Sequence, residues 1–456
     1  MAAALAADRA GVRPTLIDER ASVGGNLARE SIDGAVSASS IAEQTASGAE
    51  AIERGSALKS EVECLSPRIE LLTETSVEGC FPGGRLAVKR SGEWDLLAAK
   101  QIIFATGTDE YISPFPGWTM PGVMTPRAST RAIADETLVP GQRVVVAGTG
   151  PYLLVVAHRL HVAGMKVLAV IESARRRRMV RHGVGILTRR GVFRENRDYL
   201  EALREAGIPL HWGHVVTEAK GKQSLESITY SRCNDLGQAL GQTKSLDADA
   251  LCVCYGFVPR VELTQAAGCK MHYDEFRGGW LAEVDDTFQT SNSGVRVAGD
   301  GGGAAGAVVA ELEGTLAGLA AARDLGCLND VAFSMMSVPV AARWTELQRS
   351  RRALDQIYRL PPKITDLATP ETVVCRCSNL TRSDVEAGAD FGGDEAATSQ
   401  GCQARTCWAT MAQLLANKTG KTVSECGPLR VRLPDLPAEI AERLKEDAAN
   451  SSVVPG

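Results

Sequence analysis

The stretch RVVVAGTGPYLLVVAHRLHVAGMKVLAVIE, residues 143–172, decides the fold class. Arg143 to Ala147 is an apolar run of strand length, Gly148-Thr149-Gly150 is a turn, and Leu154 to Val162 is a helix. Met165 to Ile171 is a second apolar run, closed by Glu172. Strand, glycine turn, helix, strand and terminal acid in that order specify the βαβ unit of a nucleotide-binding α/β domain. The glycines let backbone N–H groups at the helix start approach a diphosphate, and the acid suits a free ribose hydroxyl while repelling a 2′-phosphate. Gly148, Gly150 and Glu172 are therefore candidate contacts to NAD or ATP. Leu153 stands where such turns place a third glycine and is expected to open the helix–sheet contact. Arg175 to Arg178 reads either as phosphate contacts or as a solvated or partner-facing basic patch.

Outward from that unit, the N-terminal residues carry the second half of another. Met1 to Ala10 is Ala-rich and helix-forming, Gly11 ends it, and Val12 to Asp18 reads as a strand closing in Asp18-Glu19. Glu19 is a candidate ribose ligand, and Gly24-Gly25 follows at the spacing usual after the ribose acid in flavoproteins. The alternative for Glu19 is an exposed strand-end carboxylate. The strand and glycine turn that open such a unit do not precede the helix, so the N-terminus is expected to be incomplete, most simply through a late start assignment. A gap or an improvised strand is then expected beside Val12 to Asp18, because a doubly wound sheet has its first strand in the middle.

Two further segments fit the same fold. Gln101 to Gly107 is a buried strand running into a small-residue turn, with Thr106 and Gly107 placed for close backbone approach to a cofactor. Val295 to Asp300, then Gly301 to Gly303 and the Ala-rich Ala304 to Ala322, read as strand, acidic turn and long helix. Gly299 and Asp300 are candidates for the ribityl chain of a flavin; the alternative for Asp300 is a helix cap.

Four cysteines near the C-terminus, Cys375 and Cys377 as C-x-C and Cys402 and Cys407 as C-x4-C, form two close pairs of soft ligands. An iron–sulfur cluster is the leading reading, with zinc and unligated thiols as alternatives. Cys426 is left outside the set. The other cysteines are scattered, several of them in apolar stretches, and no signal segment opens the chain. That pattern points to the cytoplasm rather than to a disulfide framework. A net charge of -5 argues against nucleic-acid binding, and no stretch reads as a membrane span. None of the six histidines sits in a catalytic motif, so no catalytic residue is assigned.

The combination Leu16-Ile-Asp-Glu-Arg20 with Gly24-Gly25, Ala105-Thr-Gly107, Pro121-Gly-Val-Met124, Gly148-Thr-Gly-Pro151, Cys254-Tyr-Gly-Phe-Val-Pro259 and Val297-Ala-Gly-Asp-Gly301 resembles the α (A) subunits of opine oxidases, hydrogen cyanide synthase and hydroxyproline or proline dehydrogenases. Cys375-Arg-Cys377 with Gly401-Cys-Gln-Ala-Arg-Thr-Cys407 resembles the bacterioferritin-associated-ferredoxin-like 2Fe-2S domain of those subunits. The resemblance implies FAD or another adenine nucleotide at the first domain and a 2Fe-2S cluster on the four cysteines. It further implies a flavin-containing β subunit of glycine-oxidase type that oxidises an amine or amino-acid C–N bond, and an electron acceptor. A scaffold or ferredoxin-like module without its flavin site is the alternative. The architecture expected is α/β: two Rossmann-like domains as in flavoprotein disulfide reductases, the first discontinuous over 1–115 and 258–330 and the second inserted at 116–257. A connector at 331–368, a small helical cysteine domain at 369–430 and a tail at 431–456 complete it.

Overall fold

The structure is a computed structural model, and it describes residues 1–25, 46–65, 68–134, 137–138, 141–187, 190–388, 404–429, 431 and 435–451. Helix α1 (Ala2–Arg9) buries Ala4, Leu5, Ala6, Ala7 and Asp8. Strand β1 (Thr15–Ile17) then pairs in parallel with β2 (Glu70–Leu72), Leu16 lying opposite Leu71. Strand β3 (Ile102–Phe104) pairs in parallel with the later segment Val295–Val297. These two pairs are separate sheets, and among the described residues no strand is hydrogen-bonded between them. Side-chain packing joins them instead: Ile17 of β1 packs against the core that holds Ile102, Phe104, Val295 and Val297.

Between these pairs the chain builds one continuous sheet from β4 (Val123–Met124), β5 (Arg143–Gly148), β6 (Lys166–Glu172), β7 (Leu210–Trp212) and β8 (Ala250–Cys254). Its order is β7-β6-β5-β8-β4, and every pairing is parallel. A parallel sheet covered on both faces needs near-continuous apolar runs, which is why Val145, Val146, Ala147, Val170, Ile171, Leu251 and Val253 are all fully buried. Helix α2 (Tyr152–Val162) covers one face. The expected opening at Leu153 does not occur: its side chain is buried in the same core as Val144 and Val146 and fills the space itself.

The chain returns through β9 (Val295–Val297) to helix α3 (Ala307–Asp324) and the long helix α4 (Asp330–Ile357), which carries Pro339 inside it. Helix α3 lies very close to α1. A Cβ on Gly318 would stand 2.3 Å from the Ala3 carbonyl oxygen and one on Gly314 3.3 Å from the Ala2 Cβ, so this Gly-x-x-x-Gly pair is what allows the approach. Past α4, the strand pair Val373–Cys375 and Leu380–Thr381 and the helix Trp408–Thr419 form a small module around Val374, Val385, Met411 and Leu414. It is seated on the crossover into the continuous sheet. The Trp118 indole N–H donates to the Val373 carbonyl at 2.6 Å, the Arg376 guanidinium lies 4.3 Å from the centre of the Trp118 ring, and Thr410 Oγ1 donates to the Ile112 carbonyl at 3.3 Å. No helix among the described residues is long and apolar enough to cross a membrane.

Candidate functional site

The first candidate site lies where β3 and β9 end side by side. Thr106 Oγ1 donates to the Arg260 carbonyl at 2.6 Å and the Arg260 N–H donates to the Gly107 carbonyl at 3.0 Å, pinning the turn after β3. Across from it runs the turn Gly299–Gly302, and a Cβ on Gly301 would stand 2.8 Å from Thr106 Oγ1. A side chain there would have to push Thr106 Oγ1 off the Arg260 carbonyl, so the Thr106–Gly107 turn and the Gly299–Gly302 turn form one group. Asp300 Oδ1 accepts from the Ala305 and Gly306 N–H groups at 3.0 and 3.2 Å, which orders the residues leading into α3. Its second oxygen takes no hydrogen bond among the described residues, and Gly107 faces open space. A carboxylate oxygen in need of donors beside an open glycine suits a chain of hydroxyls, so these residues fit the ribityl or ribose part of a nucleotide.

Glu19 is joined to that group through Arg260. The guanidinium donates to Asp109 Oδ1 at 2.7 Å, and its Nη1 lies 4.0 Å from Glu19 Oε1. The Glu19 side chain is 61% exposed and so is available to a ligand. Gly24 and Gly25 both adopt positive φ, at 116° and 59°, and Gly25 faces open space. The sequence reading missed Glu313, on α3 beneath the turn. Its carboxyl is 1% exposed and accepts from the Gly299 N–H at 2.9 Å and the Trp344 indole N–H at 3.0 Å. Burial pushes it up to about 7, against the pull of Trp344, Arg277 and Gly299. The signal was an acid in register with Val309, Leu316 and Ala317 on the buried face of an apolar helix.

The second candidate site is the turn between β5 and α2. Gly148 adopts φ 136°, and a Cβ there would stand 1.7 Å from the Cys254 carbonyl oxygen, so β5 and β8 meet at a distance only glycine permits. Glu172, at the end of β6, does not point to solvent. It is 3% exposed and accepts from Thr149 Oγ1 at 2.8 Å, the Gly150 N–H at 2.9 Å and the Ala174 N–H at 2.7 Å. Burial raises it to about 7 despite those three donors. Of the neighbouring arginines, Arg177 and Arg178 both pair with Asp235.

Of the cysteine quartet, Cys402 lies outside the described residues. Cys375 is buried in the small C-terminal core, Cys407 packs against the same core, and Cys377 is exposed. Among the described residues no three His, Cys, Asp or Glu side chains stand close enough to share a metal ion.

Residues 1–314 match the family described as pyridine nucleotide-disulphide oxidoreductase. The HcnB subunit of hydrogen cyanide synthase from Pseudomonas protegens is 30% identical over 446 residues, which span 95% of this chain and 93% of that protein. The opine oxidase A subunit of Agrobacterium tumefaciens is 30% identical over 464 residues, 97% of this chain and 88% of its own length. The crystal structure of L-proline dehydrogenase from P. horikoshii shares the fold with a TM-score of 0.62 at 18% identity, over 96% of this chain and 76% of that one. The order of motifs along the sequence implied this kinship, and the comparisons bear it out: the chain is an oxidoreductase that belongs to the pyridine nucleotide-disulphide oxidoreductase family, alongside the hydrogen cyanide synthase HcnB and opine oxidase A subunits.

Proposed function

We propose that this chain is the electron-relaying subunit of a hetero-oligomeric, flavin-dependent dehydrogenase or oxidase acting on amine or amino-acid C–N bonds in the cytoplasm. FAD or another adenine nucleotide sits at the first site, against Glu19, Gly24, Gly25, Thr106, Gly107, Gly299 and Asp300. NAD or ATP is the ligand of Gly148, Gly150 and Glu172. Cys375, Cys377, Cys402 and Cys407 would hold a 2Fe-2S cluster, which would supply one-electron transfer toward an acceptor, and a flavin-containing partner of glycine-oxidase type would oxidise the substrate. The observation that carries this reading is 30% identity running through the cysteine module to proteins named as oxidase or synthase subunits.

A bound flavin supplies one- and two-electron chemistry, and the protein orients it and tunes its potential. The chain's own contribution is positional. Arg260 holds the Thr106–Gly107 turn and keeps Glu19 at the rim, while Asp300 offers one free carboxylate oxygen across from Gly107. At the second site a ribose must draw Glu172 away from the Gly150 N–H.

Anaerobic purification tests the reading by absorption spectrum and by assay with an artificial electron acceptor. Flavin bands with an iron–sulfur envelope are expected, and turnover of amino acids or opines is expected only on co-expression with the partner. Steady turnover by the isolated chain would remove the division of labour. The separate pairs β1–β2 and β3–β9 favour a second reading, a scaffold or ferredoxin-like module without flavin, whose spectrum would show the cluster alone.

A further inference from the structure

Glu313 takes no part in the reading above, yet it is among the most buried charged side chains described. Its two oxygens are divided between two elements: Oε2 accepts from the Gly299 N–H of the cofactor turn, and Oε1 accepts from Trp344 Nε1, with Gln348 Nε2 at 3.5 Å, both on α4. The indole is held in turn by an edge-on contact with Phe288, ring centres 5.7 Å apart at 89°, within a core that includes Ala298, Leu316 and Ala317. The charged groups facing the carboxyl are Arg277, from the hairpin 271–282, and Asp300 on the turn itself. Arg277 also lies against Gly303, where a Cβ would stand 2.5 Å from its Nε.

We propose that Glu313 is the positioning residue of the Asp300 turn: its carboxyl ties the Gly299 N–H to the Trp344 indole, so that the turn and α4 are held as one unit and Asp300 is presented to the nucleotide. This rests on the reading that the Asp300 turn takes a flavin nucleotide. The bond to Gly299 holds that residue at φ 73°, a left-handed conformation that directs the following Asp300. A carboxylate serves both donors at once because it is acceptor-only, whereas the protonated acid turns one oxygen into a donor that faces an N–H. The clamp is therefore tightest when Glu313 is ionised, and burial works against that state.

The test titrates FAD into wild type and into Glu313→Gln, Glu313→Leu and Trp344→Phe, by flavin fluorescence, and follows tryptophan emission against pH. Losing both clamp bonds in Glu313→Leu is expected to weaken FAD binding by about tenfold or more, and Glu313→Gln, which keeps one acceptor, by about threefold. Wild-type emission is expected to titrate with a midpoint near pH 7, and to stop titrating in Glu313→Gln and Trp344→Phe. If Glu313→Leu does not fold, the Gln and Phe variants carry the test. FAD binding unchanged in all the folded variants, or tryptophan emission of the Glu313 variants identical to wild type at every pH, would overturn the proposal. Failure of wild type to bind FAD overturns the flavin reading instead, and the emission titration then still decides the clamp.

Discussion

Two glycine turns of this protein are each tied by a buried carboxyl, but the two acids come from different places. In the continuous sheet, Glu172 comes from the end of the neighbouring strand, the position from which a ribose would be held, and it spends its oxygens on its own turn. In the divided part of the molecule, Glu313 comes from the helix beneath the turn, and one Asp300 oxygen takes no hydrogen bond among the described residues. The same device thus closes one turn and presents the other. Surroundings differ as well: the first turn is backed by five hydrogen-bonded parallel strands, the second by two strands and a helix pair closed on Gly314 and Gly318.

The sharpest way to break this comparison is a methyl group on each turn. Gly148→Ala drives a Cβ to 1.7 Å from a sheet carbonyl, and is expected to cost about 4 kcal/mol or more, the range reached when strain and overpacking coincide. Gly299→Ala meets only the Ala310 Cβ at 3.3 Å and pays chiefly for φ 73°, about 1–2 kcal/mol. Urea unfolding of the two variants should therefore differ clearly, and equal losses would mean that both turns are equally constrained.

Protonation comes next. Both acids are raised from an ordinary 4.5 to about 7, so the fold favours their protonated forms. The stability this contributes is complete below about pH 4.5 and is lost as pH rises through 7, by roughly 3 kcal/mol for each acid. Thermal unfolding between pH 5 and 8.5 should show a downward slope that Glu172→Gln and Glu313→Gln each reduce, and a slope left intact by both would contradict the burial argument.

A smaller effect separates the ligands. If the Glu172 turn binds a nucleotide, one lacking a 2′-phosphate should bind about tenfold more tightly than one carrying it, by calorimetry, because the strand-end acid repels that group. Tighter binding of NADP than of NAD would transfer the ligand role to Arg175 to Arg178. Smallest is Arg376→Ala, which removes the cation held over Trp118 and should loosen the cysteine module from the crossover by about 0.5–1 kcal/mol. Hydrogen exchange over residues 373–381 would show it, and unchanged protection there would place the docking energy on Trp118 and Thr410 instead.

Much of the fold is legible in the sequence. Val144 to Ala147 and Val167 to Ile171 are apolar runs that only a strand covered on both faces tolerates, whereas the close approach of Gly148 to β8 shows only in the fold. The strand after Gln101 and the turn at Asp300 followed from the same chemistry. Leu153 was misread because a glycine's absence suggests a gap, whereas its own side chain fills the space among Val144 and Val146. Glu313 escaped because, two residues from the ion-paired Glu311, it looks like surface charge until the face of the helix is known.

By itself, then, the sequence determined the order of strands, turns and helices around the glycine turns and the kinship these carry, because periodicity and glycine freedom act over a few residues at a time. Only the tertiary structure decided that Glu172 serves its own turn and that Glu313 joins Gly299 to Trp344. The break beside β1, which leaves β1–β2 and β3–β9 as separate pairs among the described residues, is expected from the sequence, whereas the tertiary structure alone placed Arg376 against Trp118. Each of these joins residues far apart in the chain or sets the direction of a single side chain, and a hydrogen bond or a burial cost at that range depends on which surfaces meet, which no local pattern encodes.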